Sequence, residues 1–371
     1  MLDSTLSNTY ESRRTIQSIG VDVQYRVGGM NIFAGASYEV TNLAGDVIFP
    51  IEDAVGRRFR RFLPNAMFMY TPNRGTNLRI MYRSSTNVPT INQLQGVIDN
   101  SNPLQLRGGN TDLKQSTMHS LLTRYMSADA ENGASNLLFF SLSYSEDVIG
   151  NATLTGSSGG TVVQGVSLGE GVQLTYPVNL DHSWSAQGLF THAVYVKWLS
   201  SNVSVTTGAS YSWSPGLINE ALNISKTTTF NEGIVLASNV TPDLDFTLSY
   251  SANYNVLRYS LRSELDDRFF FHTGSVKVNW ILAESYVVRS ELTHSLYDGE
   301  PSSLKQSYAL WNVAVGKKFF ANNKGELRLA VTDIFNKNRG IKRTVTESSI
   351  ENTTSLVLGR YVLVIFTYTI G

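Results

Sequence analysis

The 371-residue chain has no cysteine, which removes disulfide frameworks, thiolate metal sites and cysteine nucleophiles together. It is also short of charge: Asp, Glu, Lys and Arg make up 16% of it, against roughly 25% in a typical soluble domain. Ser, Thr, Asn, Gly and Tyr fill the polar share instead, although a water-facing surface normally carries Lys and Glu. Basic and acidic residues balance at 30 each, with pI ≈ 7.0, so no net field attracts nucleic acid, which is excluded as a partner. No stretch reaches the ~18 uninterrupted apolar residues of a transmembrane helix. The start, MLDSTLSNTYESRRTIQ, has neither a basic n-region nor an apolar h-region. Either the protein is cytosolic, or residue 1 is not its natural beginning.

What is present is period two, repeated many times. In NVSVTTGASYSW one face reads Val203, Val205, Thr207, Ala209, Tyr211, Trp213, and the other is Asn, Ser, Thr and Gly. In DFTLSYSANYNV, Phe246, Leu248, Tyr250, Ala252, Tyr254 and Val256 alternate with Asp, Thr, Ser and Asn. Shorter versions occur at 78–82, 138–144, 276–280 and 327–331. No segment has a convincing helical period.

The connections fall into two alternating classes. Short turns occur near 28, 71, 130, 199, 241, 282 and 321; long polar connections lie near 44–58, 87–115, 151–171, 215–224, 260–266, 298–304 and 335–355. Short turns on one rim and long loops on the other describe an up-and-down barrel in an outer membrane. A soluble β-sandwich would use strands of about 5–6 residues without that asymmetry. Here strands often run past about 10 residues, enough to cross a bilayer at a tilt, with aromatics near their ends as in a girdle.

The C-terminal run YVLVIFTYTIG then reads as the closing strand. Val362, Val364, Phe366, Tyr368 and Ile370 form one lipid-facing side. The fold class is all-β: an antiparallel up-and-down transmembrane β-barrel with short periplasmic turns and long extracellular loops. The tally is about fifteen strands, whereas single-chain bacterial barrels carry an even number. Parity sends the first strand downward from the surface. Residues 1–371 are therefore expected to be the C-terminal portion of a larger barrel domain, with no plug domain and no signal peptide of their own.

Two stretches carry a family resemblance. LRIMYRSSTNVPTINQLQGVIDNSNPLQLRGGNTDLKQS (78–116) resembles the strand, inward-folded loop and strand of TonB-dependent outer-membrane receptors. TDIFNKNRGIKRTVTESSIENTTSLVLGRYVLVIFTYT (332–369) is similar to the last hairpin of their Bacteroidetes-type relatives, the outer membrane protein beta-barrel family. Within the first stretch Gly109, Asn110, Asp112, Leu113 and Lys114 fit the family turn, while Thr111, Gln115 and Ser116 stand where Pro, Pro and Glu are usual. The resemblance implies a barrel of about 22 strands whose lumen is filled by a plug. It also implies uptake of a bulky nutrient, of the iron-chelate, cobalamin or oligosaccharide class, driven by an energy-coupling protein that acts through the plug. A structural or adhesive barrel without transport is the alternative.

No enzyme chemistry is legible. The five histidines, 119, 182, 192, 272 and 294, have no ligand spacing, and neither a metal nor a cofactor is expected. Ser302 and Lys305 of SSLK match a penicillin-binding spacing, but lie in a loop without the helix or companion motifs that chemistry needs. The glycines at 156–160 lack a strand-to-helix context for holding phosphate. Two polar groups remain. Arg57, Arg58, Arg60 and Arg61 of GRRFRRF are candidates for an anionic ligand or lipopolysaccharide phosphate. The long 87–115 connection is a candidate to fold inward and meet plug or substrate through Asn100, Asn102, Arg107, Asn110 and Asp112. Membrane lipid and lipopolysaccharide are the expected surroundings.

Overall fold

The computed structural model describes residues 9–49, 53–96, 98–156, 161–163, 166–241, 243–299, 306–338, 340–345, 350–355 and 357–370. Its strands are β1 (Thr9–Val27), β2 (Met30–Phe49), β3 (Asp53–Asn73), β4 (Thr76–Asn87), β5 (Gln105–Arg107), β6 (Ser116–Asp129) and β7 (Ala134–Thr155). There follow β8 (Thr161–Val163), β9 (Val166–Leu168), β10 (Gln173–Val196), β11 (Ser201–Ile218), β12 (Ala221–Thr241) and β13 (Leu244–Tyr259). The chain continues with β14 (Asp267–Leu282), β15 (Tyr286–Gly299), β16 (Gln306–Phe319), β17 (Gly325–Thr332), β18 (Gly340–Val345), β19 (Ile350–Ser355) and β20 (Tyr361–Tyr368).

Fifteen of these, β1–β4, β6, β7, β10–β17 and β20, follow one another as antiparallel neighbours, the number read from the alternation. β5 joins the same sheet parallel to β10, making sixteen strands, while β8–β9 and β18–β19 are separate hairpins. The sheet is open, a partial barrel with β1 and β20 at its two ends.

The register separates the side chains into two faces. Ala209, Phe230, Tyr254 and Phe270 fall on one line across β11–β14, and Val205, Ile234, Tyr250 and Gly274 on another. This outer face leaves large apolar groups uncovered: Ile234 is 46% exposed and Val364 71%. Such a surface suits a lipid environment, and between the two end strands the backbone is paired on both sides, as a bilayer requires. The inner face carries Thr206, Gly233, Ser251, Thr273 and Ser295 in one row. There hydroxyls and amides bond across strands, Thr191 to Thr206 at 2.9 Å, Thr229 to Asn255 at 2.8 Å and Ser249 to Ser275 at 2.7 Å.

Two expectations need correction. First, the connections read at 44–58 and 215–224 are not loops but largely strands carried past the membrane. β11 and β12 run on to Ile218 and Ala221 and are joined by Asn219 and Glu220 alone, both at positive φ (48° and 67°), where 215–224 read as a long polar connection. Hairpins above the bilayer keep their backbone bonded to each other, but both faces meet water and the apolar alternation fades. Second, one short α-helix is present, α1 (Ile91–Leu94). A capping box nucleates it: Thr90 Oγ1 accepts from Gln93 N at 3.3 Å, and Gln93 Oε1 accepts from Thr90 N at 2.9 Å.

The β7–β10 ribbon turns over as it rises. Low in the sheet β10 lies between β7 and β11, with Trp184 opposite both Tyr144 and Trp213. At the top β7 is the middle strand, Thr153 facing Thr175 of β10 and Ile218 of β11, and β10 takes β5 on its far side. Asp147, at φ 49°, lies below the crossover. Gly150 lies within it: a Cβ there would come within 2.6 Å of Leu180 Cδ1 and 3.2 Å of the Pro215 carbonyl oxygen.

Candidate functional site

Residues 88–96 and 98–115, between β4 and β6, pack on the upper part of the sheet, α1 over its inner face and β5 beside β10. Leu94 of α1 is completely buried, with Val88, Ile91 and Leu113 beside it, against Leu43 of β2, Phe59 of β3 and Ile149 of β7. A second cluster joins Leu106 of β5 to Leu154, Leu168 and Leu174. These two clusters are soluble-style cores, each buried side chain contributing roughly 1.5–3 kcal/mol.

Polar ties fix the segment between them. Asn110 N donates to the Gln93 carbonyl at 2.6 Å, and Asn110 Nδ2 to the Pro177 carbonyl at 3.1 Å. Asn179 of β10 clasps Lys114 from both sides, accepting its N–H at 2.7 Å and donating to its carbonyl at 3.1 Å. Gln115 Nε2 donates to the Arg60 carbonyl at 3.2 Å, and Ser116 Oγ to the Glu146 carbonyl at 2.9 Å. The turn that lacks the usual prolines is thus held by side-chain hydrogen bonds. Gly109 is required by a close approach, since a Cβ would sit 1.9 Å from the Gln95 carbonyl oxygen.

The four arginines divide by parity. Arg57 and Arg61 lie on the inner face and are engaged there. Arg57 donates to the Thr111 carbonyl and pairs with Asp112 at 3.7 Å, while Arg61 pairs with Asp147 at 3.1 Å. Arg58 and Arg60, opposite Asn42 and Val40, point to the outer face and are exposed.

Of the loop residues singled out from sequence, Asn100, Asn102, Arg107 and Asp112 are exposed and Asn110 is half-buried. The first three gather at one tip, where Asp99 and Arg107 form a backbone bridge and Asn102 Oδ1 accepts from Leu104 N at 3.1 Å. The Ser101 backbone N–H, donating to Asp99 at 2.9 Å, holds that carboxyl below its ordinary range, with the Ser101 hydroxyl and the nearby Arg107 charge adding to the effect. Asn110 is spent on anchoring. Asn179 and Asp147 carry no signal in the sequence, and Gln115 stands out there only as a departure from the family turn. Only the Thr90–Gln93 capping spacing could have pointed to this packing.

Beside the segment, the inner face of β1–β4 carries an open groove of about 560 Å³ lined by Arg14, Glu39 and Arg83 with Phe33, Met67 and Met81. Glu39 Oε1 accepts from Thr86 Oγ1 at 2.8 Å. All five histidines belong to the outer face. His182 stacks on Trp213 with ring centroids 4.7 Å apart, and His272 packs beside His294 at 5.4 Å. Among the described residues no group of three metal-ligating side chains exists. The SSLK and 157–160 segments lie outside the described residues.

The geometry is that of a membrane wall, apolar outside and polar inside. The sequence profile of the outer membrane protein beta-barrel family matches residues 1–280. The chain belongs to this family. Its place is the bacterial outer membrane. No curated protein matches it. Among solved structures, the crystal structure of the ferric-catecholate import receptor Fiu from E. coli K12, open form, is similar at 11% identity and a TM-score of 0.38. The match covers 87% of this chain and 64% of that one, so the family member described here spans under two thirds of that receptor's length.

Proposed function

We propose that the chain is the barrel wall of a TonB-dependent receptor that imports a bulky nutrient, of the iron-chelate, cobalamin or oligosaccharide class. The observation that carries this reading is the 88–115 segment, packed onto the inner face through Ile91, Leu94 and Leu113, tied into the sheet beside β10 at Leu106, and leaving Asn100, Asn102, Arg107 and Asp112 exposed. A sheet of this many strands encloses a bore too wide for its own side chains to fill. A segment folded inward narrows such a bore and offers contacts to a plug or a substrate. The ends of the sheet, β1 and β20, would be completed by further strands, because an unpaired edge is not tolerated in lipid. On this reading residues 1–371 are the C-terminal part of the barrel domain, and the energy-coupling protein acts through a plug outside it.

The test is twofold. An antibody against the 335–355 region should detect, in outer-membrane fractions, a polypeptide well above 41.0 kDa. Removal of residues 98–107 should abolish growth on the cognate nutrient while the barrel still assembles. A 41.0 kDa band in that fraction, with no growth phenotype on any nutrient of these classes, would leave a barrel of structural or adhesive role.

A further inference from the structure

At the upper margin of the outer face, β12, β13 and β14 bring three cations together. The register sets Lys226 directly opposite Arg258, and Arg268 opposite Val256, one outward step from Arg258. Parity places all three with the outer-face aromatics: Trp213 lies opposite Lys226, and Tyr254 lies opposite Phe270. All three cations are exposed.

Like charges directly opposed on an antiparallel pair, with Cβ atoms about 5 Å apart, destabilise the sheet. Elsewhere the cations of this chain are often neutralised. Arg57, Arg61, Arg262, Lys277, Arg289 and Arg328 each have a carboxylate partner. Among the described residues none ion-pairs with Lys226, Arg258 or Arg268. A cleft of 290 Å³ is lined by Arg258, Arg268, Val256 and Leu257, with Asp266 and Asp267 also on its wall. Those carboxylates accept backbone N–H groups, Asp266 from Tyr259 at 2.7 Å and Asp267 from Arg268 at 2.8 Å.

Depth completes the argument. Arg268 and Arg258 stand just above the Tyr254–Phe270 line, where an apolar belt ends in an aromatic girdle and lipid headgroups begin. The extended hairpins are on this rim, which makes it the outer-leaflet side. Two guanidinium forks on the wall of the cleft, with the Lys226 ammonium across from Arg258, form a donor set suited to phosphate oxygens. A bound anion would also remove the repulsion that the bare register imposes.

We propose that Lys226, Arg258 and Arg268 form a binding site for the phosphate groups of a lipid headgroup in the surrounding outer leaflet. The site is remote from Arg58 and Arg60 on β3 and does not depend on whether the barrel transports anything.

The experiment uses the full-length protein purified from outer membranes, placed in nanodiscs containing lipid A with its phosphates or the same lipid with them removed. Lipid retained after detergent exchange is counted by native mass spectrometry. Wild type should retain phosphorylated lipid A and lose the dephosphorylated form. K226Q/R258Q/R268Q should weaken retention roughly a hundredfold, and R268Q alone, near the end of its strand, by a smaller factor. R258K/R268K, with charge kept and the fork lost, should fall between. Should the triple variant fail to show the heat-modifiable migration of a folded barrel, the single and charge-conserving variants give the same reading. Equal retention in R268Q and wild type, or of both lipids by wild type, would overturn the proposal. So would displacement of lipid A by inorganic phosphate alone, which would make this a site for the free anion.

Discussion

The belt of the sheet and the region above it are built on opposite plans. Within the belt nothing resembles a buried core: Phe230 is 51% exposed on one side, and the other side is a wet row of Ser, Thr and Asn. Order there comes from backbone ladders and from the solvent, lipid outside and water inside. Above it, Leu94, Leu168 and Leu174 have no exposed surface at all. A membrane wall thus carries its soluble-style cores where both faces leave the lipid, and it uses them to fasten one segment to the top of the sheet. The comparison predicts that core-type substitutions act on the segment and leave the wall intact.

The largest effect should come from Leu94→Ala. Emptying a fully buried site typically costs about 2–5 kcal/mol, here charged to the docking of 88–115. Hydrogen exchange should show amides of that segment losing protection while β12–β15 amides keep theirs. Exchange rising equally in both regions would mean a single cooperative unit and would break the comparison. Gly109→Ala should follow, at about 1–3 kcal/mol, because its Cβ would meet the Gln95 carbonyl oxygen. Limited proteolysis between residues 96 and 115 would report it, and cleavage no faster than in wild type would count against it.

What could be read from sequence divides along the same boundary. In β13 the alternation of Phe246, Leu248 and Tyr250 with Thr247 and Ser249 announces both the strand and its two faces, because lipid and lumen water impose opposite demands every residue. The seven short turns and the strand tally follow from the same constraint. Above the bilayer the constraint lapses: Pro215 and Gly216 continue β11 although they read as the start of a long polar connection, and β7 changes neighbours with no sign but Gly150. GRRFRRF reads as one basic patch, yet the pleat sends Arg57 and Arg61 to Asp112 and Asp147 and leaves Arg58 and Arg60 outside. Asn179 clasps Lys114 from 65 residues away, a partnership set by packing and invisible to any local pattern.

In the belt the sharper test is a gain of stability. Glu232 sits on the outer face between Phe230 and Ile234, opposite Thr207 and Ala252, and its Oε1 accepts from Thr207 Oγ1 at 2.5 Å. An exposed carboxylate at that depth costs free energy that an apolar residue would not. Glu232→Leu should therefore stabilise the folded protein in a bilayer by about 1 kcal/mol, raising its unfolding midpoint in urea. Loss of stability in lipid would mean that another protein surface covers this row.

The smallest effect concerns pH and the tip of the segment. The Asp99 carboxyl is held below its ordinary range first by the Ser101 backbone N–H and then by the Ser101 hydroxyl. A lowered folded value means the charged form is favoured by folding. Its contribution is complete above the ordinary carboxylate value and vanishes as pH falls through the lower, folded one. Acidification across that window should raise exchange at residues 99–107 first, ahead of the Leu94 cluster, which contains no titratable group. In Asp99→Asn this pH-dependent loosening should disappear while the neutral-pH exchange of α1 stays as it was. A tip whose exchange keeps the wild-type pH profile in that variant would transfer the effect to another carboxylate.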